Sequence, residues 1–459
     1  MNNPCTDKRT KRVITYGTFD LLHHGHIRLL RRAKALGDYL IVGITSDSYD
    51  RYRGKLNVRQ SLIERIETVR NIGLADEIIV EEYEGQKIDD IIRYNVDIFA
   101  IGSDWVGCFN YLEEYCKVVY LERTKGISST QLRNQEHSLL RFGIVGCGRI
   151  AQRFMPESKY VSGITVEGVF NIHIKSAHNF ADRNELSFYS DNYNDFLNKV
   201  DAVYIASPHD THYAYIKQAL LARKHVLCEK PMVLSGKEAH ELFNLAKQQN
   251  VILMEAIKTA YCLGFQRLIS CAKSGKIGRI VSVDATFTKL VSSQTREMQD
   301  DGAGGSMTEL ATYPLLAILK LLGSNYDTMQ FYSFFPRTGG VDLFTRIDFV
   351  YPSAVATAKI GLGIKSEGSL VVSGTRGYIY VPAPWWKTEY FELRYENPSE
   401  VEKHFYKFSG DGLRYEITEF LNRIKEDEMK VGACKISCCI AAIIEEYRTK
   451  ASIKSLTVL

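Results

Sequence analysis

Over the first quarter of the chain, short runs of buried-strand character alternate with segments whose apolar residues recur at helical spacing. Val13 to Tyr16, Tyr39 to Thr45, Glu77 to Val80, Ile98 to Ile101 and Val118 to Leu121 read as strands. His26 to Ala35, with apolar residues at Ile27, Leu29, Leu30 and Ala33, reads as a packed helix. Strands alternating with helices predict parallel βαβ units, hence one doubly wound α/β domain over 13–134 behind a flexible 1–12. A short polar junction, 135–140, runs directly into a new strand, Arg141 to Val145. Thr165 to Phe170, Val203 to Ser207 and His225 to Cys228 then repeat the strand signal. Farther on, Ile280 to Leu290 and Thr345 to Tyr351 alternate as half-buried strands do, and Leu413 to Ile424 and Ile436 to about Tyr447 read as helices.

A chain of 459 residues exceeds one ordinary core, so two or three domains are expected. The 58 basic and 54 acidic residues leave a net charge of +4 without a long basic run, and nucleic acid is not the implied partner. Neither a secretory apolar segment nor a run long enough to cross a bilayer is found, so no membrane partner is expected. The ten cysteines lack a repeated ligand spacing. Cys147, Cys228 and Cys271 sit in apolar or motif segments, and Cys434, Cys438 and Cys439 fall on one predicted helix, where packing is favoured over metal. A cytoplasmic protein without a resident metal is the expectation.

Candidate chemistry begins at Gly17-Thr18-Phe19-Asp20-Leu21-Leu22-His23-His24-Gly25-His26, where the first strand gives way to a helix. His23 and His26 fall near the helix N-terminus, whose free N–H groups and positive dipole end suit a phosphate, and Gly25 lets an anion approach the main chain. Three further groups follow strand ends. They are Lys55 with Arg65, Gly102-Ser103-Asp104-Trp105, and Arg123-Thr124-Lys125-Gly126-Ile127-Ser128-Ser129-Thr130. The last offers two fixed positive charges, a glycine and three hydroxyls, which a polyphosphate would use. Taken singly, Lys55 and Arg65 read as solvated side chains and Trp105 as partial core, but their recurrence at strand ends favours a shared site.

Residues 13–133 resemble the glycerol-3-phosphate cytidylyltransferase family, within the wider class marked by His-x-Gly-His. The resemblance implies transfer of CMP from CTP to a polyol phosphate, with Mg²⁺ arriving on the nucleotide. It places His23 and His26 on the CTP phosphates with Ser128 and Ser129 beside them, Lys55 and Arg65 on the triphosphate, and Asp104 and Trp105 in recognition. Gly17, Thr18, Phe19, Asp20, Gly25, Arg123 and Thr124 complete the expected nucleotide site. One departure is that the family often has arginine three residues before the aspartate matching Asp76, and here that position is Gly73.

The second half opens on Val145-Gly146-Cys147-Gly148-Arg149-Ile150-Ala151. Gly146 suits the turn, Gly148 the approach of a pyrophosphate and Ala151 tight helix packing, as in a dinucleotide fingerprint. Asn171 stands where an acidic residue normally holds the ribose 2′-hydroxyl, and Lys175 is near. That favours NADP(H) while leaving NAD(H) open. The later strands end in Ser207-Pro208-His209-Asp210-Thr211-His212 and Glu229-Lys230-Pro231. With the segment Gly304 to Tyr313, these motifs make residues 141–459 similar to the glucose-fructose oxidoreductase, inositol dehydrogenase and MocA family. The resemblance implies a Rossmann lobe over 141–262 and, over 263–459, a substrate and oligomerisation lobe on an open, largely antiparallel sheet, with a C-terminal helix returning to the Rossmann lobe.

It also implies cofactor contacts from Gly146, Gly148, Arg149, Ile150, Asn171, Ser207, Pro208, His209, His212, Glu229, Lys230 and Pro231. Lys230 is expected beside the nicotinamide. The family's usual Asp-x-x-x-His is here Glu309-x-x-x-Tyr313, four apart and so on one helix face. Tyr313 reads either as a half-buried core tyrosine or as a proton donor with its pKa lowered by Lys230; Glu309 joins them at the substrate. Trp385-Trp386 is expected at the surface, as packing or interface. Together the halves suggest a bifunctional, homo-oligomeric enzyme. One half would reduce a keto or aldehyde sugar phosphate, and the other would couple the polyol phosphate to CMP. The rival readings are a regulatory oxidoreductase half or a different nucleotidyltransferase.

Overall fold

The early apolar runs form five parallel strands, β1 (Arg12–Gly17), β2 (Tyr39–Thr45), β3 (Glu77–Glu81), β4 (Ile98–Gly102) and β5 (Lys117–Leu121), in the order β3-β2-β1-β4-β5. The structure is a computed structural model that describes residues 9–22, 24–52, 58, 60–83, 85–122, 139–336, 340–426, 431–449 and 452–456. The chain divides into two compact units, Met1–Leu139 with Tyr160–Thr165, and Leu140–Lys159 with Val166–Leu459.

In the first unit alternate residues of β1 feed two cores. Val13 packs with Leu30, Leu40 and Val42 on one face, while Ile14 and Tyr16 pack with Ile41, Ile91 and Phe99 on the other. Burial on both faces is why β1 reads as a continuous apolar run. The strand order reverses between β1 and β4, so their carboxyl ends flank the crevice where doubly wound folds bind ligands. Both the Gly17–His26 loop and the Gly102–Trp105 segment start there.

The second unit begins with β6 (Leu140–Val145), β7 (Ile164–Phe170), β8 (Phe188–Ser190), β9 (Ala202–Ile205), β10 (His225–Glu229) and β11 (Leu253–Ala256). They form one parallel sheet in the order β11-β10-β9-β6-β7-β8, with the switch point between β6 and β9.

A nine-stranded sheet follows, built from β12 (Ile280–Thr288), β13 (Thr328–Phe334), β14 (Phe344–Tyr351), β15 (Ala354–Gly361), β16 (Leu370–Gly374), β17 (Gly377–Val381), β18 (Tyr390–Tyr395), β19 (Val401–Phe405) and β20 (Ile453–Leu456). Only the β12–β15 and β13–β20 pairings are parallel. One face packs on helix Thr312–Leu322, and β14 alternates buried with accessible residues, as a half-covered antiparallel strand does.

Helix Val431–Arg448 returns to the Rossmann lobe. Glu445 accepts from Ser235 Oγ at 2.7 Å and from the Gly236 N–H at 2.9 Å, and a Cβ on Gly236 would lie 2.9 Å from the Ala442 methyl. Cys438 on this helix packs into the Rossmann core. The Trp385-Trp386 expectation needs correction. Trp385 is fully buried and its Nε1 donates to the Thr286 carbonyl at 2.8 Å, while Trp386 stacks on Phe287 with centroids 3.6 Å apart. Among the described residues no helix is long and apolar enough to cross a membrane.

Candidate functional site

In the first unit the loop after β1 turns inward before it reaches the helix. Phe19 and Leu21 adopt positive φ values of 52° and 46°, and the Phe19 ring folds back to where a Cβ on Gly17 would stand, 3.0 Å away. Gly17 therefore makes room for Phe19. The Phe19 ring meets the His26 ring edge-on at 5.5 Å, holding this imidazole in the first turn of helix His24–Lys34. That turn carries no acidic residue, whereas Arg31, Arg32 and Lys34 occupy the last turn. Charge is thus arranged along the helix dipole, whose positive N-terminal end suits an anion.

The loop is pinned from below. Thr18 Oγ1 donates to Asp50 Oδ1 at 2.9 Å, the Gln60 N–H donates to Asp20 at 3.0 Å, and the Leu21 N–H donates to Gln60 Oε1 at 2.8 Å. Arg65 is fully buried, and one guanidinium nitrogen donates to the carbonyls of Thr18 (2.7 Å) and Thr45 (2.8 Å), while Asp47 and Asp50 balance its charge. Arg65 thus ties the end of β1 to the end of β2. Another buried group, Lys87 with Glu81, lies at the end of β3, where Glu81 also accepts from Thr45 Oγ1 at 2.9 Å and the Lys87 ammonium sits 4.7 Å from the Tyr16 ring centroid. Burial first, then Asp90, pushes the Tyr16 phenol far above its usual range.

In the second unit Gly146 takes φ = 100°, and a Cβ there would meet the Ala206 carbonyl at 2.7 Å, so only glycine fits this turn. Gly148 caps helix Arg149–Ser158 without any side-chain cap bond, which leaves the first N–H groups facing outward. Asn171 follows β7, its Oδ1 accepting from the His173 N–H at 2.9 Å. A glycine turn ending in the exposed Gly148, an uncapped helix start and no carboxylate at residue 171 fit a dinucleotide, including one with a 2′-phosphate.

Lys230 follows β10. Its ammonium donates to the Glu309 carbonyl at 3.0 Å, lies 4.0 Å from the Glu309 carboxylate and 5.9 Å from the Tyr313 ring centroid. Helices Gly305–Leu310 and Thr312–Leu322 meet at Ala311 and bring Glu309 and Tyr313 to the same lysine. Burial pushes the Glu309 carboxyl up, but the His209 hydrogen bond at 2.9 Å and the charges of Lys230 and Arg296 outweigh it and hold the group down at about 2. Tyr313 shifts the opposite way to expectation. Burial first, then Glu229, Glu416 and Glu309, push its phenol well above the usual range, and its ring packs against Phe287 at 5.4 Å. Its phenol therefore stays protonated.

A model of cytidylyltransferase-like domains matches residues 14–135. The glycerol-3-phosphate cytidylyltransferase of Bacillus spizizenii is 50% identical over 129 residues, which is 28% of this chain and 99% of that enzyme. The oxidoreductase family with an NAD-binding Rossmann fold, GFO/IDH/MocA, matches residues 140–257, and its C-terminal domain matches 265–380. The chain joins a cytidylyltransferase-like domain to a GFO/IDH/MocA oxidoreductase. The oxidoreductase half is 28% identical to trans-1,2-dihydrobenzene-1,2-diol dehydrogenase of Sus scrofa over 338 residues, covering 67% of this chain and 96% of that one. Its fold is shared with a 3-ketoreductase from Actinomadura kijaniata, solved with NADP and TDP-benzene, at a TM-score of 0.63 and 22% identity over 70% of this chain and 99% of that chain.

In the cytidylyltransferase half the structure brings Gly17 to Asp20, Gly25, His26 and Trp105 to the carboxyl edge beside the switch point. His23, Lys55, Arg123, Thr124, Ser128 and Ser129 lie outside the described residues, as does the side chain of Asp104. Arg65, expected on the triphosphate, is fully buried, and its guanidinium donates to the Gln60, Thr18 and Thr45 carbonyls and to Asp47. Gly73 and Asp76 sit at the other edge of the sheet. Gly73, at φ = 71°, ends helix Leu62–Asn71, and Asp76 accepts from the Leu40 N–H at 2.6 Å before β3 begins. The departure at Gly73 therefore leaves the carboxyl edge untouched.

In the oxidoreductase half Gly146, Gly148, Arg149, Ile150, Asn171, Ser207, Pro208 and Lys230 fall on the strand ends and the phosphate helix. His212 was expected at the cofactor. It is fully buried, and its two ring nitrogens face the carbonyls of Ser207 (2.9 Å) and Pro231 (3.1 Å), tying two strand-end loops together. Glu229 is a similar anchor, accepting from Tyr204 Oη at 2.6 Å and from the Lys230 N–H at 3.2 Å. Sequence reasoning missed Gln60, Lys87, Arg296, Glu297 and Phe287. Lys87 follows a strand end, the same signal that marked the other groups; Arg296 and Glu297 carry no local signal at all.

Proposed function

We propose that the oxidoreductase half reduces a keto or aldehyde sugar phosphate to a polyol phosphate with NADPH or NADH, and that the cytidylyltransferase half couples this product to CMP from CTP, giving a CDP-polyol and pyrophosphate. The observation that carries the reading is complementarity. One half is 50% identical to an enzyme named for glycerol 3-phosphate, and the other converges Lys230, Glu309 and Tyr313 beside a dinucleotide turn. The names of its relatives, a diol dehydrogenase and a 3-ketoreductase solved with NADP, are those of enzymes interconverting alcohol and carbonyl.

Gly146, Gly148 and the N-terminus of helix Arg149–Ser158 would hold a reduced dinucleotide, which would supply the hydride. Lys230 directs the carbonyl oxygen and offsets its growing negative charge, and the neutral Tyr313 phenol gives the proton that completes the alcohol. Glu309 stays ionised and holds the Lys230 ammonium in place. In the other half an oxygen of the polyol phosphate attacks the α-phosphorus of CTP in line, its bond to phosphorus forming as the bond to pyrophosphate breaks. No protein nucleophile takes part; the helix start and His26 position and neutralise the phosphates. Mg²⁺ carried in on the nucleotide would supply further neutralisation of the phosphate charge.

Pyrophosphate release tests the transferase with CTP or ATP against three- to six-carbon polyol phosphates, and NADPH oxidation tests the reductase with the corresponding carbonyl phosphates. Release with CTP and a polyol phosphate, together with NADPH oxidation lost in Lys230→Met, is the expected pair. Release with ATP alone, or no cofactor consumption with any carbonyl compound, contradicts the reading.

A further inference from the structure

Two strand-end loops of the Rossmann lobe meet at Glu309, which belongs to helix Gly305–Leu310 of the other lobe. The loop after β10 brings Lys230, whose ammonium donates to the Glu309 carbonyl at 3.0 Å and lies 4.0 Å from Oε2 of its carboxylate. The loop after β9 brings His209, whose Nε2 lies 2.9 Å from Oε1 of the same carboxylate. Glu309 is held ionised, and an ionised carboxylate only accepts, so Nε2 carries the proton and donates.

The His209 ring is fixed in place. It is buried, it opens the short turn His209–Thr211, and it meets the His212 ring edge-on at 5.5 Å. His212 is itself pinned between the carbonyls of Ser207 and Pro231, and Thr211 Oγ1 donates to Ser207 Oγ at 2.7 Å. Of the two nitrogens of the His209 ring, one is engaged by Glu309 and the other, Nδ1, is buried with no partner among the described residues. Neither is left open to a dinucleotide.

A carboxylate can turn about its last bond, so Oε2 keeps facing Lys230 while Oε1 is held. A hydrogen bond to an ionised group is directional and roughly twice as strong as a neutral one. Without His209, Oε1 keeps the longer contact to Arg296, at 3.5 Å from a half-exposed side chain. The Lys230 ammonium has three N–H groups, and with one on the Glu309 carbonyl and the carboxylate beside it, the rest can meet the carbonyl oxygen of a substrate.

From this geometry we propose that His209 is a positioning residue for carbonyl reduction, in place of the cofactor contact expected for it. It fixes the Glu309 carboxylate across the two lobes, and Glu309 in turn holds Lys230 at the reacting carbonyl. The role rests on the reading of this half as a carbonyl reductase.

Steady-state kinetics and NADPH titration of the full chain test it, with dihydroxyacetone phosphate, ribulose 5-phosphate and fructose 6-phosphate as carbonyl probes. His209→Leu is expected to lower kcat about 10- to 100-fold, the range for a hydrogen bond to a charged group, while the Kd for NADPH, read from its fluorescence, stays unchanged. His209→Gln, whose amide can donate from the same place, keeps most of kcat. His209→Asn, too short to reach Glu309, loses as much as His209→Leu, and this polar pair carries the test if the apolar side chain is not tolerated. In a Glu309→Gln background His209→Leu lowers kcat less than about threefold, because the group it positions has lost its charge. Unchanged kcat in His209→Leu, equal rates for the Gln and Asn variants, or the same loss in the Glu309→Gln background overturns the role while the reductase reading stands. So does an NADPH Kd that rises while kcat at saturating cofactor holds. A wild type that oxidises NADPH with none of the probes overturns the reductase reading, and the role with it.

Discussion

His212 shows how a residue in a binding motif is used to hold the site together. Burial, reinforced by His209, keeps its imidazole down at about 4 against an ordinary 6.5, so the folded protein holds it neutral between two carbonyls. Because the folded pKa is depressed, the unfolded chain binds the extra proton. The contribution is complete above pH 6.5 and is lost as pH falls from there through about 4, on the order of 3 kcal/mol in all. Urea unfolding of wild type and His212→Gln across this range should show the wild type's advantage shrinking towards acid; a constant difference would count against the buried, neutral imidazole.

Tyr313→Phe is expected to lower kcat for carbonyl reduction about 10²–10⁴-fold, the range for a positioned proton donor, with cofactor affinity retained. Equal activity would leave Tyr313 as core. Gly146 and Lys230 were readable because their roles depend on the next few residues: a turn, a helix start, a strand end. The raised pKa of Tyr313 was not, since it comes first from burial in the folded lobe and then from Glu229 and Glu416, which approach from distant parts of the chain.

At the scale of elements, Arg65 binds two strand ends into one platform. A basic residue after a strand reads as a solvated or ligand-binding side chain. Its burial depends on carboxylates from Asp47 and Asp50 and on carbonyls of two strands meeting around it. Arg65→Met removes the cation beside the buried Asp50 carboxylate. Breaking a buried pair costs about 3–5 kcal/mol, so the cytidylyltransferase half should unfold at clearly lower denaturant. If stability holds and only the KM for CTP rises, Arg65 contacts the nucleotide after all.

The elements themselves were foreseen closely. The β1–β5 runs and the alternation in β14 matched because a strand buried on two faces and one buried on a single face leave different periods. Trp385 was misplaced for the opposite reason, since its partner Thr286 lies on a strand that is remote in sequence.

At the scale of the whole molecule, two units carry separate ligand edges at separate switch points. Substitutions should therefore sort by half. His26→Ala is expected to abolish pyrophosphate release while NADPH oxidation persists, and Lys230→Met to do the reverse when polyol phosphate is supplied ready made. Loss of both activities from either change would mean that the halves do not work independently.

The central claim is that the product of one half is the substrate of the other. Mass spectrometry of products tests it most directly, after incubating the full chain with CTP, Mg²⁺, NADPH and a panel of keto and aldehyde sugar phosphates. The account predicts a CDP-polyol that appears only when CTP and reduced cofactor are both present. A CDP-product from ready-made polyol phosphate, with no carbonyl compound consuming NADPH, would contradict it.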